Sequence, residues 1–235
     1  MTAEKALQLS APAFRAAPAR ARRGLDLLYL GDEFCQNLVP SPDDFACAVD
    51  AFGGRVVLVT PLLTDAAFDS VEEIVEAHAS PRRPLELVVN DLGLLHAARA
   101  RWARSVRPSL GRVFMHRVKV MPRGFARGFL KEHGVRRVEL DDPALLPRFE
   151  GFGLKYSFHT PFRYLSVTRF CPWERRWQGP CGYACLGAVR KLEHPRLPAP
   201  LLLKGQAYGV RTGRPPRHPA IDRLVGEPLP APEAE

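Results

Sequence analysis

The sequence predicts an α/β fold whose parallel strands close into a barrel. Short apolar runs, each ended by Gly, Pro or Asp, alternate with helical stretches at intervals of roughly 25 to 30 residues, the rhythm of βα units. The runs are almost continuously apolar, as expected for strands covered on both faces. At 235 residues the chain is short for a complete barrel of this kind, which usually takes about 250. We therefore predict a TIM-barrel-like (β/α) barrel that is incomplete or compressed, with an open doubly wound sheet as the alternative.

Seven segments carry the strand pattern, and an eighth is expected late in the chain at residues 201–203. The seven are residues 6–9, 25–31, 55–61, 85–91, 136–141, 154–160 and 164–168. Four helices are predicted between them, at residues 41–52, 70–79, 92–104 and 122–133. The first begins with Ser41 and Pro42, the second has Ser70 three residues before Glu73 as in a capping box, and the last ends at Gly134.

The end of the chain has a different composition. Nine of the 23 prolines fall from Pro195 onward, and residues 211–235 show no convincing periodicity. We predict a barrel domain over residues 1–210 and an extended Pro-rich tail over 211–235. No apolar stretch approaches the roughly 18 residues of a membrane helix, and Met1 to Arg23 lacks the apolar core of a secretory signal, so we expect a cytoplasmic protein without a membrane span.

The chain is basic, with 34 Lys and Arg against 25 Asp and Glu and a formal charge of +9. Many of the cations cluster in the middle of the sequence near Trp102, where they suit contact with RNA phosphates. They are Arg99, Arg101, Arg104, Arg107 and Arg112, followed by Arg117, Lys119, Arg123 and Arg127. A solvated helix face explains the same spacing, and we favour that explanation.

Five cysteines are an odd number, which fits a disulfide framework poorly and suits a reduced compartment. Cys171, Cys181 and Cys185 follow a C-x9-C-x3-C pattern in a loop at residues 170–186, and Cys35 lies just beyond a predicted strand. Four converging thiolates suit a tetrahedral zinc or an iron–sulfur cluster. The scattered spacing favours a 4Fe-4S cluster, and structural thiols are the alternative. Cys47 lies among apolar residues of a predicted helix, and we expect it to be buried.

Glu33 and His159 are candidates for acid–base chemistry. Both lie near the carboxyl ends of predicted strands, where barrel enzymes place catalytic groups. A hydrogen-bonded structural histidine and a helix-capping carboxylate are the alternatives. A catalytic role and a structural role are likewise the two explanations for four further side chains: Asp91, Asp141, Asp142 and His116. The sequence has no G-x-S-x-G, H-E-x-x-H or Gly-rich phosphate loop, so a peptidase would lack an evident nucleophile and base.

Three segments resemble peptidase family U32, the collagenase-like family, and most closely its ubiquinone-biosynthesis branch. Residues 29–35, YLGDEFC, are similar to the family's YLGE-x-x-C segment, and residues 90–93, NDLG, to its sDLG segment. The third is the cysteine loop, which follows a strand at residues 165–169. The resemblance covers roughly residues 5 to 210.

The resemblance implies a TIM-barrel-like fold and a 4Fe-4S cluster on Cys35, Cys171, Cys181 and Cys185. It also implies a part in oxygen-independent hydroxylation, most closely in ubiquinone biosynthesis. Hydroxylation of transfer or ribosomal RNA bases, a U32 peptidase activity and a non-catalytic cluster-bearing subunit are the alternatives. The expected partners are a second U32-type subunit in a heterodimer, or RNA.

Overall fold

The computed structural model describes residues 3–177 and 179–232. It contains a closed barrel of eight parallel strands. This confirms the predicted TIM-barrel-like fold, and the barrel is complete despite the short chain. Outside the described residues lie the start of the predicted barrel domain (residues 1 and 2), one position of the cysteine loop (residue 178) and the end of the predicted tail (residues 233–235).

The elements are numbered in chain order. The strands are β1 (Glu4–Leu9), β2 (Leu27–Gly31), β3 (Arg55–Val59), β4 (Leu85–Val89), β5 (Val106–Leu110), β6 (Arg137–Leu140), β7 (Lys155–Thr160), β8 (Phe162–Val167), β9 (Arg190–Leu192), β10 (Leu201–Lys204), β11 (Ala207–Arg211) and β12 (Ile221–Gly226). The helices are α1 (Ala11–Ala16), α2 (Pro42–Phe52), α3 (Asp65–His78), α4 (Leu92–Ala100), α5 (Arg112–Val118), α6 (Arg123–Glu132) and α7 (Leu146–Phe149). Around the barrel the strand order is β1-β12-β7-β6-β5-β4-β3-β2.

The predicted tail is wrong, because its central part forms the last barrel strand. β12 pairs in parallel with β1 on one side and with β7 on the other, which closes the barrel. From Arg223 onward its residues alternate, with Arg223 and Val225 buried in the barrel and Leu224 packed against the core outside it. A register irregularity lies between Ile221 and Arg223. A charged residue at an inward position hides this strand from a search for apolar runs.

A second sheet is inserted between β7 and β12. Its strands are antiparallel in the order β8-β11-β10-β9, so the segment expected as the last barrel strand, residues 164–168, belongs largely to this sheet. The strand expected at residues 201–203 is β10 in the same sheet. The sheet covers the carboxyl ends of the barrel strands, where Phe34 stacks on Tyr164 with ring centroids 5.1 Å apart. The cysteine loop connects β8 to β9 and is therefore held over the mouth of the barrel.

The helix predicted to begin at Ser41 and Pro42 is confirmed as α2. Ser41 caps α2 by accepting a hydrogen bond from the Asp44 amide at 3.1 Å, as expected. The expected capping box at Ser70 is wrong, because α3 already begins at Asp65 after Thr64. The predicted helices at 92–104 and 122–133 correspond to α4 and α6, and α5 was not predicted. No helix in the described part of the chain is long and apolar enough to cross a membrane.

The barrel interior is apolar on one side and polar on the other. The apolar side is formed by Ala6, Leu27, Tyr29, Val57, Val59, Val88 and Val225. On the other side, buried charged and hydroxyl side chains replace the branched aliphatic layers usual in such barrels. Buried polar groups must find partners, and this side forms a connected network that reaches the carboxyl face.

Candidate functional site

A cleft of about 590 Å³ opens at the carboxyl face of the barrel, beneath the inserted sheet. Loops that follow β2 and β3 form one side, and the cysteine loop forms the other. Cys35, Cys171 and Cys181 line it. This is the end of the barrel where enzymes of this architecture place their active sites.

Backbone geometry after β2 places Cys35 in this cleft. Gly31 has a φ of 123°, and a Cβ there would lie 2.2 Å from the carbonyl oxygen of Val59, so the position admits glycine alone. The turn that follows is held by Asp32, whose Oδ1 accepts hydrogen bonds from the amides of Phe34 at 2.7 Å and Cys35 at 2.8 Å. Gly31 and Asp32 of the YLGDEFC segment therefore form the turn that places Cys35 in the cleft.

The cysteine loop is organised around Glu174. Its Oε1 accepts hydrogen bonds from the amides of Gly182 at 3.1 Å and Ala184 at 3.4 Å, and its Oε2 accepts one from Arg176 at 3.2 Å. A short antiparallel bridge between Cys171 and Arg176 closes the first turn of the loop. One carboxylate therefore ties the two cysteine-bearing halves of the loop together.

Two backbone amides in the loop donate hydrogen bonds to cysteine sulfurs. The Glu174 amide lies 3.4 Å from Sγ of Cys171, and the Tyr183 amide lies 3.4 Å from Sγ of Cys181. Next to these donors, Arg175 and Tyr183 have positive φ values of 53° and 58°, which residues with side chains rarely adopt. Strained backbone that presents amides to sulfur is a feature to expect where thiolates must be stabilised.

The four predicted ligands lie close enough to influence one another. Burial, the Asp32 carboxylate, Cys185 and Cys181 together raise the pKa of Cys35. Burial, Asp32, Cys181 and Cys171 likewise raise the pKa of Cys185 to about 12. Four thiolates would repel one another here unless a bound cationic group joined them, and a coordinating thiol is then deprotonated outright.

The fifth cysteine does not belong to this group. Cys47 lies on α2 and is exposed, so the expectation of a buried thiol is wrong. Phe45 and Ala48 face the core from this helix, and one residue corresponds to about 100° of helical rotation, which turns Cys47 outward. No disulfide is formed by any of the five cysteines.

Among the described residues, no three His, Cys, Asp or Glu side chains are placed so that they could hold a single metal ion. The choice between a zinc ion and an iron–sulfur cluster stays a prediction from the cysteine spacing.

Glu33 lies at the floor of the cleft but is fully engaged by the barrel. Its Oε1 accepts a hydrogen bond from Arg112 Nε at 2.7 Å, and its Oε2 accepts from the Arg112 amide at 2.6 Å and from Asn90 Nδ2 at 3.2 Å. Asn90 is itself fixed, because Gly111 packs against its amide so closely that a Cβ would lie 2.2 Å from Nδ2. The structure thus places Glu33 as a fixed, hydrogen-bonded partner of Arg112.

His159 is enclosed inside the barrel with 0% of its surface exposed. Its Nε2 lies 2.9 Å from Glu139 Oε2, and its Nδ1 lies 3.4 Å from Glu227 Oε1. Burial and Arg112 oppose the charged ring, but the two carboxylates outweigh them and raise the pKa of His159. His159 therefore does not line the cleft. Its buried position between two carboxylates agrees with the alternative explanation, a charged histidine with a structural role.

Arg112 is the centre of the buried network. Besides Glu33, it contacts Glu227 Oε1 at 2.5 Å and lies 3.6 Å from Asp141 Oδ2. Glu227 also contacts Lys204 at 2.5 Å. Burial opposes ionisation of Glu227, but the surrounding cations Arg112 and Lys204 hold its pKa well below the usual range.

Asp141 is the carboxyl of this network whose pKa lies above its usual range. Burial raises its pKa to about 6, although Arg112 and the Tyr164 amide, 2.7 Å from Oδ2, both favour the ionised form. The pKa of Asp141 is higher in the folded protein than in the unfolded chain, so its protonated form contributes to stability. This contribution is fully present below the unfolded pKa of 3.8 and is lost as the pH rises through about 6.

We therefore expect Asp141→Asn to gain stability relative to the natural protein as the pH rises. The amide oxygen can still accept from Tyr164, and the cost of an ionised buried carboxyl disappears. The difference in the free energy of unfolding should move by about 2 to 3 kcal/mol in favour of the variant between pH 4 and pH 8. Urea unfolding at the two pH values measures it, and a difference that stays constant with pH would contradict the assignment.

The remaining sequence candidates have structural roles. Asp91 caps α4 through the Leu94 amide at 3.1 Å, and Asp142 accepts from the Ala144 amide at 3.0 Å. His116 packs against Tyr164, and partial burial lowers the pKa of its ring. These residues agree with the capping and packing explanations.

The basic cluster does not form one surface. Arg112 is 1% exposed inside the barrel, while Arg99 pairs with Glu132 and Arg101 pairs with Glu72 on the outside. The favoured explanation of solvated helix positions agrees with Arg99 and Arg101.

Sequence reasoning missed three residues that organise the site: Asp32, Arg112 and Glu227. Arg112 lies two residues beyond the end of β5, and Glu227 directly follows β12, so each has the strand-end position that marked Glu33. Arg112 was named only as a member of the basic cluster and Glu227 was not named, because the strands that precede them were not recognised. Asp32 was quoted within a motif without a role of its own.

Comparisons with known proteins add little. No protein-family model matches the sequence, and a search of curated proteins finds no match. Among solved structures, the chain is similar to a glycoside hydrolase family 18 N-acetylglucosaminidase from Paenibacillus barengoltzii. The two share 9% sequence identity over 96% of this chain and 94% of that one, with a TM-score of 0.42.

Proposed function

We propose that the protein binds a 4Fe-4S cluster through Cys35, Cys171, Cys181 and Cys185 at the carboxyl face of its barrel. The observation that carries the proposal is that Cys35, Cys171 and Cys181 line one cleft from two distant parts of the chain. Cys185 lies close enough to these thiols for its pKa and that of Cys35 to be affected. The amide hydrogen bonds to Cys171 and Cys181 support it, because such bonds stabilise thiolate ligands.

We further propose a part in oxygen-independent hydroxylation, most closely in ubiquinone biosynthesis, on the strength of the family resemblance. A bound 4Fe-4S cluster would supply one-electron transfer or a site for the oxygen donor. The cleft beside the thiols is large enough for a small organic substrate. Phe34, Leu62 and Val113 give it an apolar side that suits a ring-bearing molecule.

The chain's own residues prepare the cleft for a negatively charged group. Arg169 and Arg176 line it and would offset the charge of thiolates and cluster. Trp177 lines the same cleft and packs edge-on against Phe170, with ring centroids 5.5 Å apart. These side chains would limit water beside the sulfurs, which tunes the potential of a cluster.

Metal and sulfide analysis of protein purified without oxygen tests the proposal. We expect brown protein with a broad visible absorbance and about four irons and four sulfides per chain, as a Cys-ligated cube requires. Stoichiometric zinc without iron would refute the cluster. Iron that reconstitutes only in the presence of a second barrel protein would instead support the alternative of a subunit that depends on its partner.

A further inference from the structure

A second cavity lies at the opposite end of the barrel, and we call it the amino-face bowl. It encloses about 730 Å³ among the amino ends of the strands, with Glu4, Arg107 and Lys155 in its wall. Cavities of roughly 300 to 1,000 Å³ are typical of small-ligand sites. The cysteine site at the carboxyl face makes no use of this cavity.

The bowl is strongly basic, because seven arginine and lysine side chains line it against three carboxylates. Two of the carboxylates are committed to two arginines. Glu86 contacts Arg223 at 2.8 Å and Arg55 at 3.3 Å, and Glu4 contacts Arg223 at 3.1 Å and also pairs with Arg55. These pairs hold the buried Arg223 in the floor of the bowl.

The third carboxylate is shared in the same way. Asp222 contacts Arg137 at 2.7 Å and Lys155 at 3.7 Å. Four cations are thus offset by three carboxylates, as expected at the face of a barrel that normally serves stability.

Three arginines are left over. Arg104, Arg107 and Arg136 line the bowl and are exposed, and within the described part of the chain none of them has an ion pair. Arg107 lies near the start of β5, and Arg136 immediately precedes β6, the neighbouring strand. Stability gives no reason to gather unpaired like charges around one cavity, whereas an anionic ligand does.

We propose that the amino-face bowl binds a phosphate-bearing small molecule of nucleotide size. Arginine forks hydrogen-bond phosphate oxygens in pairs, which makes them the side chains best suited to such a ligand. A concave site of this volume favours a small molecule over a polymer. The phosphates of the ligand would bridge the three unpaired arginines, Arg104, Arg107 and Arg136.

Isothermal titration calorimetry of the full chain with ADP, inorganic pyrophosphate and adenosine tests the proposal. We expect ADP and pyrophosphate to bind competitively and adenosine not to bind. Arg107→Gln and Arg136→Gln should each weaken ADP binding about tenfold, and the triple variant that adds Arg104→Gln should abolish it. Arg127→Gln, which removes an exposed arginine on α6, is the matched control and should bind ADP within twofold of the natural protein.

Three results would overturn the proposal: no binding of ADP or pyrophosphate at millimolar concentration, equal loss in the control variant, or binding of a short RNA without binding of ADP. The iron content of each variant is measured in parallel. A failure of ligand binding with normal iron would count against the bowl alone, and loss of iron from the natural protein would count against the cysteine site alone.

Discussion

Replacing Cys181 with Ser is expected to remove the proposed iron–sulfur cluster from the protein. Cys181 lies in the cleft, receives a hydrogen bond from the Tyr183 amide and influences the pKa of both Cys35 and Cys185. A serine hydroxyl is a poor ligand for iron, since these clusters are held by thiolates. Iron should fall from about four per chain to near zero, and the visible absorbance should disappear.

Cys47→Ser is the matched control, because it makes the same chemical change at an exposed cysteine on α2 outside the cleft. We expect this variant to keep its full iron and absorbance. Circular dichroism of both variants shows whether the barrel is intact. Loss of iron from Cys47→Ser with retention in Cys181→Ser would reverse the ligand assignment.

The strands that the sequence predicted well are those buried on both faces by apolar neighbours. Every residue of β2 is buried, so its apolar run is continuous. β5 and β12 were missed because residues that face the barrel interior from these strands are polar and form hydrogen bonds with other buried polar side chains. Ser109 of β5 donates to Glu139 at 2.5 Å, and Arg223 of β12 donates to Tyr29 at 2.9 Å. β5 and β12 therefore lack the continuous apolar run by which the other strands were recognised.

The inserted sheet was beyond sequence reasoning for a different reason. β7 and β8 have similar patterns and are separated by a single residue, Pro161. Strand propensity gives no information on which partner a strand chooses, and β8 pairs with β11, more than 40 residues later. The cysteine loop was recognisable from its spacing, but the sheet that carries it over the barrel was not.

In the candidate site, the cysteines could be predicted from the sequence, but the surroundings of His159 and Glu33 could not. The four cysteines are close in space, and a thiol has few other reasons to recur at such spacing. His159 and Glu33 occupy strand ends as expected, yet their surroundings depend on Arg112 and Glu227, which the sequence gives no reason to place nearby. A buried charge network is defined by partners remote in sequence.

Arg112→Met is expected to be the most destabilising single substitution in the barrel. Methionine has a similar length but removes the cation that faces Glu33, Glu227 and Asp141. Breaking a buried pair by removing one partner typically costs about 3 to 5 kcal/mol, since the remaining charges stay buried without compensation. Urea unfolding of the variant and of the natural protein at neutral pH measures the loss.

The loss should also depend on pH. Arg112 lowers the pKa of Glu227 and Asp141, so its removal raises both pKa values in the folded state. Stability is then lost as the pH rises through these raised values, and Arg112→Met should lie closer to the natural protein at pH 5 than at pH 8. Adding Glu33→Gln removes one of the uncompensated charges and should recover part of the loss.

Arg99→Met is the matched control, because it breaks an arginine–glutamate pair of similar length, 2.6 Å, on the surface. Water screens that pair, so the variant should unfold at nearly the same urea concentration as the natural protein. Equal effects of the two substitutions would show that Arg112 contributes no more than a surface arginine. A large loss confined to Arg112, and larger at high pH, would instead identify this residue as the cation that lets three carboxylates lie beneath the cysteine cleft.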